Sequence, residues 1–178
     1  MKFIQTPLAG AWLIEPERLS DERGWFARTF DADAFAVHGI ELTVVQADAS
    51  FNARRDTLRG MHYQAEPHGE PKLVSCTRGE IFDVGVDLRS GSPSYCRWHG
   101  VSLSAEDGRA LFLPRGVAHG FQTLTDDCEV HYLMGHEHVS EAARGLRWDD
   151  PRFDIRWPEP SGPRTISERD RSYSDYQP

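Results

Sequence analysis

No apolar run in this 178-residue chain approaches the roughly 20 residues that a membrane-crossing helix needs, so neither a bilayer span nor a membrane partner is expected. The opening stretch, Met1 to Trp12, breaks its few apolar residues with Gln5, Thr6 and Pro7 and offers no apolar segment of a secretory leader. The expectation is a cytoplasmic protein. Cysteine is scarce: Cys76, Cys96 and Cys128 are far apart, odd in number and free of C-x-x-C or zinc-type spacing, which leaves free thiols. Basic clusters are missing too. With 20 Lys and Arg against 28 Asp and Glu, the net charge of −8 excludes a nucleic-acid surface, while single arginines can still hold a small phosphorylated ligand. There is no internal repeat, no low-complexity tract and no helix-length apolar pattern between strand-like runs, which excludes a βαβ architecture.

What the chain has is apolar residue enough for one core, 39% against 27% charged. Its length fits one domain over residues 1–178 that buries roughly two-thirds of its unfolded surface. Thr6 to Glu15 reads as an extended opening, and the polar turn Ser20 to Gly24 leads into an aromatic strand, Trp25 to Phe30. Asp31 and Asp33 can cap a short helix through Ala34, Phe35 and Val37 that Gly39 stops. Alternating runs follow at Leu42 to Gln46, Leu58 to Gln64, Lys72 to Thr77, Glu80 to Leu88, Trp98 to Leu103, Ala110 to Leu113, Gly120 to Leu124 and Cys128 to Met134. Short turn-rich stretches separate them, which predicts an all-β sandwich or barrel. From about residue 151 the tail carries Pro151, Pro158, Pro160 and Pro163, which exclude central strands; it is expected to wrap the barrel or close a site.

Two stretches carry chemistry. In LRGMHYQ, Leu58 to Gln64, strict alternation places Leu58, Gly60, His62 and Gln64 on one face and Arg59, Met61 and Tyr63 on the other. His62 is the candidate general base, although a single strand histidine can equally be a packed or solvated side chain. In GRALFLPRGVAH, Gly108 to His119, the spacing is G-x5-P-x-G-x2-H. It resembles the second half of the cupin signature, which implies a double-stranded β-helix, or jelly roll, with His119 facing the histidine of an earlier strand, here His62. Metal-binding cupins carry H-x-H and a nearby glutamate on that strand. Here Gln64 replaces the second histidine, and Glu66 and Glu70 lie in a turn, so no metal is expected and His62 and His119 read as an acid/base group and a hydrogen-bonding group.

Six segments are more specific together: DERGWF (Asp21 to Phe26), LRGMHYQ, KLVSCTRGEIFDVGVDLRSGSPSY (Lys72 to Tyr95), VSLSAEDGRALFLPRGVAHGFQTL (Val101 to Leu124), RWDDP (Arg147 to Pro151) and ISERD (Ile166 to Asp170). In this order, over nearly the whole chain, they resemble the dTDP-4-dehydrorhamnose 3,5-epimerase family. The resemblance implies a cupin without metal or cofactor, with short peripheral helices, that forms a homodimer. It further implies inversion of carbons beside the ketone of a nucleotide-linked 4-keto-6-deoxy sugar, in deoxysugar biosynthesis. By the same resemblance His62 is the base, Asp170 orients it, Tyr132 is the acid on the opposite face and Lys72 lies near the enolate or the phosphates. Arg59 and Arg23 would hold the diphosphate and nucleotide end, Phe26 and Gln46 the nucleotide base by stacking and an amide hydrogen bond, and His119 the sugar or its enolate. Read alone, Asp170 between Arg169 and Arg171 is a solvated charge, Tyr132 a core residue and Lys72 a surface lysine at a strand start.

The chain also departs from the family pattern. Where Q-D-N-H-S is frequent, Gln46 to Ser50 reads QADAS, which introduces Asp48 and Ala49. Arg28 stands where a glutamate is common, and His138 about where a tyrosine is usual, so Arg28, Asp48 and His138 join the candidate substrate-binding residues and leave the nucleotide and sugar open. The alternatives are a 3-only or 5-only epimerase, a keto-isomerase, a non-catalytic sugar-nucleotide-binding cupin and a metal-dependent cupin oxygenase. The set His62, Lys72, Tyr132 and Asp170 speaks against binding alone, and Gln64 against the oxygenase. The strand holding Trp25 and Phe26 could pair across subunits, as a dimer would allow.

Overall fold

Alternating apolar residues build two facing sheets in the computed structural model, which describes residues 1–177. In chain order the elements are β1 (Lys2–Gln5), β2 (Trp12–Glu15), β3 (Leu19–Asp21), β4 (Gly24–Phe26), α1 (Ala32–Val37), β5 (Gln46–Asn52), β6 (Thr57–Gln64) and β7 (Lys72–Arg78). They continue with β8 (Glu80–Asp87), β9 (Trp98–Ser104), β10 (Ala110–Leu113), β11 (Val117–Thr123), β12 (Cys128–Met134), β13 (Ala143–Gly145), β14 (Thr165–Ile166) and α2 (Glu168–Arg171). One sheet has the order β1-β2-β10-β7-β12-β5; the other runs β13-β6-β11-β8-β9, with β14 added parallel to β6. β3 and β4 form a separate hairpin.

Leu13, Val74, Leu111 and Val130 of the first sheet meet Ile81, Leu103, Val117 and Phe121 of the second in the buried space between them. The neighbouring residues of the first sheet, Ile14, Leu73 and Phe112, point outward and are covered by Phe35 of α1 together with Ile40 and Leu42. On the outer face of the second sheet Leu58, Met61, Val84 and Ala118 are covered by Leu146, Phe153 and Trp157, with Ile166 packed alongside. The proline-rich tail thus lies along this sheet.

Asp31 caps α1, its side chain accepting from the Ala34 amide at 3.1 Å, and Gly39 follows the helix with φ +71°. Three strand limits need correction. The run Leu42 to Gln46 is not a strand: Leu42 is buried beneath α1, and the strand starts at Gln46 and runs through the polar residues to Asn52. Full antiparallel pairing with β12 holds it, a tertiary contact that overrides its polar composition. The aromatic strand stops at Phe26 rather than Phe30, because Arg28 and Asp31 turn the chain into the helix cap. β11 begins at Val117, three residues before the expected Gly120.

The alternation expected in β6 also fails at one point. His119 faces His62 and Phe121 faces Arg59, so three steps on β6 match two on β11 and one extra residue bulges at Gly60 and Met61. Leu58 and Met61 therefore share the outer cluster, while Arg59 and His62 both line the interior. Gly60 has φ +120°, and a Cβ there would lie 2.5 Å from the Cα of Gly120, so the crossing of the two strands requires glycine. Gly60→Ala should lower the unfolding free energy by about 2–4 kcal/mol in a urea titration, from backbone strain and overpacking together. A loss below about 0.5 kcal/mol, the range of a neutral surface change, would contradict this account of the bulge.

Candidate active site

Between the sheets opens a cavity of about 550 Å³, within the range of small-molecule sites. His62, Lys72, Tyr132, Gln46, Asp48, Arg59, His119 and His138 all line it. His62, Arg59 and His119 come from the second sheet, and Lys72, Tyr132, Gln46 and Asp48 from the first. The two walls therefore carry different chemistry: imidazoles on one, a phenol and an ammonium on the other.

His62, His119, Lys72 and Tyr132 each have a side-chain partner. His62 Nε2 donates to Asp170 Oδ1 at 2.7 Å, and the Gly60 amide donates to Oδ2 at 3.2 Å. Since a carboxylate only accepts, this bond fixes the proton on Nε2 and leaves Nδ1 as the ring nitrogen able to take one. Asp170 is presented by α2, whose N-cap Ser167 accepts from the Asp170 amide, and it is buried behind His62 rather than exposed. Burial pushes its carboxyl up, but the hydrogen bond and charge of His62, with the Gly60 amide, outweigh this and hold it below its ordinary 3.8. His119 Nε2 donates to Asp83 Oδ1 at 2.7 Å, both buried, and its ring lies 6.0 Å from that of Tyr132 across the cavity. Lys72, only 4% exposed, pairs with Glu70 at 2.8 Å. Burial pushes the Tyr132 phenol well up, and its hydroxyl lies 3.3 Å from that of Ser50.

Glu70, Asp83, Ser50 and Arg169, which also lines the cavity, were not singled out from sequence as site residues. Glu70 lies in the turn between β6 and β7, and nothing in its spacing shows that the following strand start is buried. Gln64 has a structural use. Its amide nitrogen donates to the carbonyls of His68 and Glu137, and its oxygen accepts from Val139 N, so it ties together two loops at the cavity rim. Gln46 Oε1 likewise accepts from the His138 amide and braces that rim. Among the described residues no group of three or more His, Cys, Asp or Glu side chains is placed to hold a metal.

Three expected site residues lie elsewhere in this chain. Arg23 is paired with Asp21 in the β3–β4 hairpin, Arg28 with Asp31, and Phe26 is 68% exposed. Phe26 and Arg28 border a separate depression with Met1 and Glu17. The hairpin joins neither large sheet, so these residues cannot be placed in the cavity of their own chain.

The depressed Asp170 has a measurable consequence. A carboxyl more acidic in the folded than the unfolded chain contributes stability above its unfolded value, and loses it as pH falls through the folded one. The stability gap between wild type and Asp170→Asn, read from urea unfolding, should shrink as pH is taken from about 7 to about 3. A gap that is constant or widens on acidification would contradict the ion-paired carboxylate.

The family model for dTDP-4-dehydrorhamnose 3,5-epimerase matches residues 5–177. A dTDP-4-dehydrorhamnose 3,5-epimerase of Methanothermobacter thermautotrophicus is 47% identical over 174 residues, spanning 97% of this chain and 92% of its own. The crystal structure of the dTDP-4-dehydrorhamnose 3,5-epimerase from Elizabethkingia anophelis NUHP1 superposes with a TM-score of 0.95 at 33% identity, covering 99% of this chain and 96% of that one. ChmJ, a 3′-monoepimerase from Streptomyces bikiniensis in complex with dTDP-quinovose, superposes at 0.89 with 33% identity, over 97% and 86% of the two chains. With the cupin-type double sheet and a match that runs almost from end to end, this chain belongs to the dTDP-4-dehydrorhamnose 3,5-epimerase family.

Proposed function

We propose that the chain inverts C3 and C5 of a dTDP-linked 4-keto-6-deoxy sugar, with His62 as base and Tyr132 as acid on opposite sides of the ring. The observation that carries this reading is their placement on facing walls of one cavity, with Asp170 behind the base and Lys72 on the acid's side. A carbon beside a ketone gives up its proton only if the enolate oxygen is stabilised as charge develops. His62 Nδ1 takes the proton, and Asp170 keeps the ring oriented and offsets the imidazolium charge. The Lys72 ammonium, held by Glu70, faces the growing negative charge at the C4 oxygen, while His119, held by Asp83, contacts the sugar. Tyr132, held protonated by burial, returns a proton to the other face, and inversion is the result. Arg59 suits a diphosphate, with a guanidinium already turned to the cavity, while Gln46, Asp48 and His138 stand at the end where the nucleotide would lie.

The same reading extends to a homodimer. The β3–β4 hairpin leaves Leu19, Trp25 and Phe26 at 68%, 56% and 68% exposure, and a two-stranded hairpin has little stability by itself. Docked on a second copy, it would cover these side chains and could bring Arg23, Phe26 and Arg28 to the neighbouring cavity, which is the role their own chain denies them.

Proton NMR in D2O with dTDP-4-keto-6-deoxyglucose tests the chemistry. The wild type should wash out the protons at both C3 and C5, His62→Ala should abolish wash-out, and Tyr132→Phe should lower inversion by about a hundredfold or more while leaving abstraction at His62 in place. Wash-out at one carbon only would reduce the assignment to a single-centre epimerase, and none from folded protein would overturn it. For the assembly, light scattering should give twice the chain mass, falling toward one chain in Trp25→Ala/Phe26→Ala. A monomeric wild type would remove the shared-site reading.

A further inference from the structure

After Tyr132 has protonated carbon, it is a buried phenolate that must recover a proton before it can act again. If one substrate is inverted at two carbons, this must happen before the second inversion. Among the described residues, the Ser50 hydroxyl is the side-chain group within hydrogen-bonding distance of the Tyr132 oxygen, at 3.3 Å. Ser50 lies on β5, diagonal to Tyr132 across the β5–β12 pair, half-buried and on the cavity wall.

The neighbours of Ser50 give this hydroxyl a direction. Arg59 Nε donates to Asn52 Oδ1 at 2.7 Å, which sets the amide so that its nitrogen faces Ser50, with Asn52 Nδ2 3.4 Å from both Ser50 Oγ and the Ser50 carbonyl and 3.5 Å from the Cys128 carbonyl, two hydrogens shared among three acceptors. With its oxygen accepting from Asn52, Ser50 has its own hydrogen free to point at Tyr132. Guanidinium, amide, hydroxyl and phenol thus form one row of donors that all point the same way.

We propose that Ser50, aligned by Asn52 and Arg59, is the positioning residue through which Tyr132 is reprotonated; the proposal rests on the epimerase reading above. As the new C–H bond forms, the Tyr132 O–H bond breaks. Ser50 then passes its proton to the phenolate oxygen and takes one from cavity water, and the proton count is closed when the His62 imidazolium releases its proton to solvent. A hydroxyl can both donate and accept, which this step requires and which an alanine or valine at position 50 could not do.

The test separates abstraction from inversion, using dTDP-4-keto-6-deoxyglucose in D2O. In Ser50→Ala, kcat for inversion should fall about tenfold or more with KM changed less than about twofold, while deuterium continues to enter recovered, uninverted substrate at His62. Ser50→Thr, which keeps the hydroxyl, should restore inversion. Inversion at the wild-type rate in Ser50→Ala would overturn the proposal. So would a parallel loss of exchange and inversion, or a raised KM at unchanged kcat, since either would mark Ser50 as a structural or binding residue. A wild type that exchanges no carbon-bound proton would instead bring down the epimerase reading, and the proposal with it.

Discussion

The hydrogen bond from His62 to Asp170 closes a loop between residues 108 positions apart, and the site is arranged around it. A charge-assisted bond of this kind contributes about 1.5–3 kcal/mol, too little to order a tail of more than 20 residues unaided. Phe153, Trp157 and Ile166 supply the rest. Large apolar side chains contribute about 1.5–3 kcal/mol each on burial, and these three pack against the outer face of the sheet whose inner face carries His62. The tail is therefore positioned by apolar packing, and Asp170 needs only to meet a base already in place. The same carboxylate accepts from the Gly60 amide, so the bulge, the base and the tail meet at one group.

The two walls of the cavity gain their difference from this arrangement. A residue on the inner face of one sheet cannot contact a substrate from the same side as one on the other, so the β-sandwich itself separates base from acid. Buried ionisable groups are costly when unpaired, of the order of 3–5 kcal/mol when one partner is removed, and the buried Asp170, His119 and Lys72 have counterparts in His62, Asp83 and Glu70. These partners do more than prevent loss of stability. They orient the ring nitrogens and the ammonium, so the groups that face the substrate space have little freedom to turn away.

Much of this was legible in the chain. Alternation and turn residues located most of the strands, and the resemblance of Gly108 to His119 to the cupin signature implied two histidines opposite each other, as β6 and β11 place them. What stayed hidden has a common cause, since it depends on contacts between distant segments. The strand at Gln46–Asn52 is polar and forms only because β12 pairs with it. Arg59 shares a face with His62 only because Gly60 and Gly120 cross closely enough to force a bulge, and no periodicity in LRGMHYQ announces an extra residue. Asp83 sits inside an apolar strand, FDVGVD, where its partner His119 is 36 residues away, and Glu70 looks like a turn residue until Lys72 is seen to be buried. Arg23, Phe26 and Arg28 show the limit of a single chain: motif position marked them as site residues, and the fold of one copy leaves them outside its own cavity.

Asp170, by accepting from Nε2, fixes which nitrogen of His62 is free. Nitrogen-15 NMR of the histidine rings reads this directly, with the His62 signals assigned by their loss in His62→Ala and recorded where the ring is neutral. The wild type should show a protonated, pyrrole-type Nε2 and a bare, pyridine-type Nδ1, converting to a mixture of the two in Asp170→Asn. A proton found on Nδ1 in the wild type would contradict this, because the cavity would then face a ring nitrogen with no lone pair to offer.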